Sequence, residues 1–244
     1  MIIVPDIHGR DFWKSISSQH TDEEIVFLGD YTDPYFDEDT RKEDVPGIIQ
    51  EIIEIKKANP DTVTLLLGNH DCSYLSSEMP RCRFDFKRQE EIRSLFRDNL
   101  DLFDIATVRE INGTKYIFSH AGIHPSWLGL NKTFFSGISK PSEAVPYLNR
   151  TLHNPDEEHL LWRVLSYVGS SRGGWESIGS CVWVDIFDWF GYESYVPEDK
   201  TEFQVFGHTK LLGEEPLVHD WVADLDCKCL IRLTPEGKFI RDQK

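Results

Sequence analysis

Five times in this chain a run of apolar residues stops abruptly and is followed by Asp, Asn or His. Ile2-Ile-Val runs into Pro5-Asp6-Ile7-His8-Gly9, Ile25-Val-Phe-Leu into Gly29-Asp30-Tyr31-Thr32-Asp33, and Val63-Thr-Leu-Leu-Leu into Gly68-Asn69-His70-Asp71. Later, Tyr116-Ile-Phe-Ser runs into His120-Ala-Gly, and Phe203-Gln-Val-Phe into Gly207-His208-Thr209. Short apolar runs ended by glycine or proline read as buried strands. Singly, such an ending is an ordinary turn with a solvated side chain. Five of them in 244 residues form a set, because open α/β sheets place their ligands beyond the carboxyl ends of the strands. A dinuclear metal site in outline follows, and Asp33, in the loop of Asp30, could orient a neighbour.

The elements between these strands alternate. Arg10–Gln19, with Phe12, Trp13 and Ile16, predicts a short crossover helix. The acid-rich loop Tyr35–Asp44 predicts a solvated surface. Pro46 suits the first turn of a helix whose apolar face is Ile48, Ile49, Ile52, Ile53 and Ile55, ended by Asn59-Pro60-Asp61. The third strand is expected over Thr62–Leu67 and a helix over Lys87–Phe103. Ile105–Ile111 and Thr114–Ser119 flank Asn112-Gly113, a two-residue hairpin signal. Asn154-Pro-Asp-Glu reads as a capped helix start with a stop near Gly169, Leu217–Ile240 as short strands with a turn at Pro235-Glu-Gly237.

In their order, Asp6-Ile-His8-Gly, Gly-Asp30-Tyr-Thr-Asp33, Gly-Asn69-His70-Asp71, His120-Ala-Gly and Gly-His208-Thr resemble the motif series of the calcineurin-like metallophosphoesterases. The branch they look most like holds bacterial and phage-type serine/threonine protein phosphatases and symmetrical bis(5'-nucleosyl)-tetraphosphatases. Trp183-Val-Asp185 is similar to the tryptophan element that precedes the last histidine of that family. The resemblance implies an α/β fold, the four-layered α/β/β/α sandwich. It also implies two divalent ions, one held by Asp6, His8 and Asp30, the other by Asp30, Asn69, His120 and His208, with Asp30 bridging. A hydroxide between the ions would attack phosphorus in line, without a covalent phosphoenzyme. By the same resemblance His70 binds no metal but pairs with Asp33 and protonates the leaving oxygen. His124, His153, His159 and His219 lie outside the motifs.

Mixed oxygen and imidazole donors without cysteine suit Mn, Fe, Zn, Co or Ni better than calcium, and manganese is expected first. Two departures from the family pattern matter. Pro34-Tyr35 stands where protein phosphatases carry Arg-Gly, so a phosphate-holding guanidinium is missing. Arg172, between Ser171 and Gly173-Gly174, is the expected substitute, with Arg10, Arg81 and Arg83 as alternatives. Lys210 occupies the place of a second histidine in Gly-His-x-His, which weakens nuclease readings.

Because the motif residues come from both ends of the chain, residues 1–244 are expected to form a single domain, with a helical and loop insertion at about 123–190. A net charge of −16 argues against stable nucleic-acid binding. No run approaches the ~18 apolar residues of a membrane span, and Met1-Ile-Ile-Val-Pro-Asp reads as a strand opening and not as a leader, so a cytoplasmic enzyme with no membrane partner is expected. Five cysteines in no framework spacing fit reduced thiols, and Cys227-Lys-Cys229 reads as two thiols on one face of a strand rather than half a zinc clip. The expected activity is phosphomonoester hydrolysis of the serine/threonine-phosphatase type on a phosphorylated small molecule, nucleotide or phosphoprotein. The alternatives are a nucleotide or dinucleoside polyphosphate hydrolase, and a silent binding module of the same fold.

Overall fold

A computed structural model describes residues 1–16, 22–38, 40–190, 197 and 200–242. Two sheets form its centre. In the first the strands run β11-β10-β1-β2-β3-β4, where β1 is Ile2–Val4, β2 Ile25–Phe27, β3 Val63–Leu66, β4 Phe103–Asp104, β10 Ile231–Leu233 and β11 Phe239–Arg241. β1 to β4 are parallel, in registers such as Ile3↔Val26↔Thr64, and β10 pairs antiparallel with β1. The second sheet runs β5-β6-β7-β9-β8, with β5 Ala106–Ile111, β6 Thr114–Ser119, β7 Glu202–Phe206, β8 Leu217–His219 and β9 Val222–Asp224. Its three inner strands are parallel, so β6, β7 and β9 all point their carboxyl ends one way.

Side chains alternate along a strand, and that alternation sorts the core into layers. Ile3, Val26, Leu28 and Leu66 of the first sheet meet Phe118, Val205, Ala223 and Leu225 of the second in one buried cluster. Their neighbours Ile2, Val4, Ile25, Phe27, Val63 and Leu65 join the buried face Ile48, Ile49, Ile52 and Ile53 of the helix Val45–Ala58. Burial of each such side chain is worth about 1.5–3 kcal/mol relative to exposure. The outer face of the second sheet, through Ile117 and Phe206, packs with Trp127, Leu148 and Trp189 from the helices Pro125–Leu130, Pro141–Leu152 and Ile186–Trp189. Helices therefore cover both outer faces, as the expected α/β/β/α sandwich requires.

Several boundaries differ from expectation. The crossover helix opens as a 3-10 turn over Phe12–Ser15 and Ile16 is helical, while residues 17–19 of its expected span lie outside the described residues. The third strand begins at Val63 and ends at Leu66, with Leu67 already turning toward the site. The helix expected over Lys87–Phe103 spans Gln89–Asp98; Leu100–Leu102 forms a 3-10 turn and Phe103 starts β4. The helix expected at Asn154 begins at Glu158 and ends at Leu165, because the Asn154 side chain accepts the Asp156 N–H and holds a turn. The hairpin forms as expected, with Asn112 and Gly113 both at positive φ.

The acidic loop is not simply solvated. Glu38 folds inward onto three cations, with Arg10 Nε at 2.7 Å, Lys210 Nζ at 2.6 Å and Lys228 Nζ at 3.0 Å. Cys227 and Cys229 lie in the turn between β9 and β10 and not on a strand, bent by Lys228 at φ 61°, with their sulfurs 3.6 Å apart and unbridged. No helix among the described residues is long and apolar enough to cross a membrane.

Candidate metal centre

The carboxyl ends of β1, β2, β3, β6 and β7 converge at one end of the sandwich. They bring Asp6, His8, Asp30, Asn69, His120 and His208 together, all buried. Glycines make the convergence possible. A Cβ on Gly207 would stand 2.2 Å from Asp6 Oδ1, and one on Gly68 would stand 2.1 Å from Asp30 Oδ1, so only a bare backbone lets the β7 and β3 loops close on these carboxylates. His8, Asp30, Asp33 and His208 all adopt positive φ, at 43°, 53°, 54° and 70°. Non-glycine residues hold such backbone only where the surroundings enforce it. For Asp30 the enforcement comes from Asp71, whose carboxylate accepts the backbone N–H groups of Asp30, Tyr31 and Gly68 at 2.7, 3.0 and 2.9 Å. Asp71 thereby ties the β2 loop to the helix Asn69–Leu75.

Two imidazoles are fixed through their outer nitrogens. His8 Nδ1 donates to the Thr32 carbonyl at 2.8 Å and His120 Nδ1 to the Leu28 carbonyl at 2.9 Å. Each therefore turns Nε2 inward, to 3.3 and 3.4 Å from Asp30 Oδ2. His120 Nε2 also lies 2.9 Å from Asn69 Oδ1 and 3.1 Å from His208 Nδ1. With its other nitrogen already donating, this Nε2 faces a carboxylate, an amide oxygen and a second imidazole nitrogen, a gathering of acceptors that needs a positive centre. The field says the same. Burial opposes charge on His120, but Asp30 and Asp6 outweigh it and push its pKa up to about 10. His208 Nε2 is buried without a hydrogen-bond partner among the described residues. These donors fit divalent cations.

Donor atoms of His8, Asp30 and His70 lie within 4.8 Å of one another, as do those of Asp30, His120 and His208, so Asp30 belongs to both groups. Asp6 stands a little farther off, its Oδ2 4.0 Å from His8 Nε2, and accepts the His208 backbone N–H. His70 is held differently from the other imidazoles. Its Nδ1 meets Asp33 Oδ2 at 2.7 Å, while the second Asp33 oxygen accepts from the Tyr74 hydroxyl.

Arg172 reaches the border of the site but is heavily engaged. Its guanidinium pairs with Asp185 Oδ2 at 2.5 Å and donates to Thr209 Oγ1 at 2.7 Å and, more weakly, to the His208 carbonyl. Arg83 stands inside. Its Nη2 lies 3.3 Å from both His8 Nε2 and His70 Nε2, its Nε donates to the Asp33 carbonyl, and its guanidinium lies over the Tyr35 ring at 3.9 Å. Asp226 was not foreseen. It is buried between Arg10 Nη1, 3.5 Å away, and Asp6, and burial followed by Asp6 raises its pKa well above the carboxylate range. The signal was present: Val222-Ala-Asp-Leu-Asp226 is a sixth apolar strand that ends in carboxylates.

A family model for calcineurin-like phosphoesterases matches residues 3–212. None of the curated proteins matches the chain. Among solved structures it is similar to a cold-active protein-tyrosine phosphatase from the psychrophile Shewanella sp., at 16% identity and TM-score 0.54, covering 99% of this chain and 80% of that one. It is also similar to a protein serine/threonine phosphatase from Saccharomyces cerevisiae, at 14% identity and TM-score 0.54, covering 100% of this chain and 76% of that one. At such identities these likenesses establish the shared fold.

Proposed function

Because the chain belongs to the calcineurin-like phosphoesterase family and is thus a metal-dependent phosphoester hydrolase, we propose that it cleaves phosphomonoesters in the manner of the serine/threonine phosphatases, by direct attack of water on phosphorus. The observation that carries this reading is the double use of Asp30, whose carboxylate lies within reach of His8 on one side and His120 on the other. Asp6, His8 and Asp30 would hold one divalent cation, and Asp30, Asn69, His120 and His208 a second. A pair of such ions, manganese first among Mn, Fe, Zn, Co and Ni, supplies activated water at neutral pH and positive charge for the phosphoryl oxygens.

The remaining work falls to side chains of this chain. Asp33, oriented by Tyr74, accepts from His70 Nδ1 and so turns Nε2 toward the site as the atom that would carry the transferable proton. That proton goes to the oxygen of the departing alcohol. Arg83 offers a guanidinium to the outward phosphate oxygens. Arg172, the residue expected from sequence, is proposed to contribute from beside His208 while it anchors Thr209. Residues 1–244 act as one unit, with the segment 123–190 as an insertion that walls the site. Five unbridged cysteines favour a reducing, cytoplasmic setting.

Turnover of para-nitrophenyl phosphate with added manganese tests the reading, and a panel of phosphopeptides, diadenosine polyphosphates and cyclic nucleotides tests the substrate class. Hydrolysis of phosphopeptides in preference to the nucleotides is expected. Preference for diadenosine polyphosphates would move the assignment to the nucleotide hydrolases.

A further inference from the structure

A cavity of about 390 Å³ opens beside the candidate centre and shares Asp33 and Arg83 with it. Its floor is apolar, formed by Pro34, Phe84 and Ile92, and its rim carries Phe36 and Phe86. These two rings are 82% and 64% exposed, although large aromatic side chains are ordinarily the most buried surface a protein has. The wall is also braced. Phe84 stacks on Tyr74 at 4.2 Å and 19°, Phe86 meets Phe84 edge to face at 4.9 Å, and the Tyr74 hydroxyl holds Asp33. The same tyrosine thus supports the cavity on one side and the His70–Asp33 pair on the other.

In an in-line displacement the leaving oxygen departs opposite the attacking water, and the acid that protonates it stands on that side. His70 Nε2 lies 3.3 Å from Arg83 Nη2 and Arg83 lines the cavity, so the cavity adjoins the acid that would protonate the leaving oxygen. Of the cations around the cavity, Arg88 is matched by carboxylates, while Arg83 is turned toward the histidines of the site. Arg88 pairs with Asp85 at 2.7 Å and Glu43 at 2.5 Å, and Lys42 Nζ donates to the Phe36 carbonyl. Arg81 lies over the Phe84 and Phe86 rings at 4.6 and 5.8 Å, and the exposed surfaces of Phe36 and Phe86 offer aromatic contact to a flat ring.

We propose that this cavity is the leaving-group subsite of the phosphoesterase, and that it selects esters whose alcohol carries a flat aromatic ring. The inference rests on the phosphomonoesterase reading above, and two arms separate their failures. Benzyl and n-butyl phosphate have alcohols of similar acidity, so the ratio of their kcat/KM values in the manganese-loaded protein reports binding of the ring and not leaving-group reactivity. A ratio of at least ~10 is expected, falling to within about threefold of unity in the double variant Phe36→Ala/Phe86→Ala, since one hydrophobic pocket commonly discriminates by about 10–200-fold. Both substituted side chains are exposed, so the fold should survive, which the melting temperature would verify. The second arm measures binding of benzylphosphonate against methylphosphonate by calorimetry in the same two proteins, and the same loss of preference is expected. A parent that binds and cleaves both members of each pair equally, or a double variant that keeps the preference, overturns the subsite. Absence of hydrolysis with an intact phosphonate preference would overturn the phosphomonoesterase reading and leave the subsite standing.

Discussion

His70 Nδ1 and Asp33 Oδ2 lie 2.7 Å apart, both side chains buried, at the carboxyl ends of neighbouring strands β3 and β2. The contact joins residues 37 positions apart, and it differs from the carbonyl contacts that fix His8 and His120. A carbonyl fixes only a tautomer, whereas a carboxylate also stabilises the charged ring.

Replacement of His70 by Asn should therefore leave metal content nearly unchanged, because its backbone N–H to Asp30 is retained. Turnover should fall by about 10²–10⁴-fold, the usual contribution of general acid catalysis. The loss should be larger for alkyl than for nitrophenyl esters, and Asp33→Asn should give a weaker version of it. Equal losses on both ester classes would assign His70 another role.

Arg83→Ala and Arg172→Ala separate the two candidate phosphate contacts. Arg83 touches the histidines of the site, while Arg172 is occupied by Asp185 and Thr209. The expected outcome is a drop in kcat/KM of about 10–100-fold for Arg83→Ala, on the scale of one charge-assisted hydrogen-bond pair, and a smaller one for Arg172→Ala. Steady-state kinetics with metal content measured in parallel checks it; the reverse order would restore Arg172 as the principal contact.

How much of this was legible differs residue by residue. The convergence of these polar side chains was readable because apolar strands end abruptly in Asp, Asn or His, at Asp30, Asn69 and His208 directly after a glycine, and Gly207 beside Asp6 records a local steric need. The His70–Asp33 pairing came from family resemblance alone. Arg83 stands in the sequence only as one of three alternatives to Arg172, beside Arg10 and Arg81, since its approach depends on a left-handed backbone at φ 52° and on a Tyr35 face supplied by a distant loop. The helix at Lys87 was drawn too long because Leu100 and Phe103 continue its apolar spacing, although Phe103 pairs with Leu65 in the sheet. Glu38 was read as solvent-exposed because its three cations follow three separate strands.

Glu38 gives a stability prediction. Burial disfavours its charge, but Arg10, Lys210 and Lys228 outweigh burial and hold the carboxyl well below its ordinary range. A carboxyl whose pKa is lowered in the folded state contributes stability above its unfolded pKa and loses it as pH falls through the folded value. Glu38→Gln should thus cost about 1–2 kcal/mol at pH 7, between an exposed and a fully buried pair, and the difference from the parent should shrink in acid. Thermal melts across pH check this; a difference that is constant with pH would exclude ionisation as its source.

Metal binding should be linked to protons. His120, with its pKa up to about 10, carries a proton in the metal-free protein at neutral pH that a cation must displace. Manganese affinity should therefore rise with pH, by up to about tenfold per unit for one released proton. Calorimetry in buffers of different ionisation enthalpy reads the release directly, and zero protons released at pH 7 would refute the assignment.

The central claim is that Asp6, His8, Asp30, Asn69, His120 and His208 hold the ions that make the chain an enzyme. Titration of verified metal-free protein with Mn²⁺, with hydrolysis of para-nitrophenyl phosphate followed at each addition, tests it most directly. Negligible turnover without metal and saturation near two ions per chain are predicted; full activity in the metal-free protein would contradict the account.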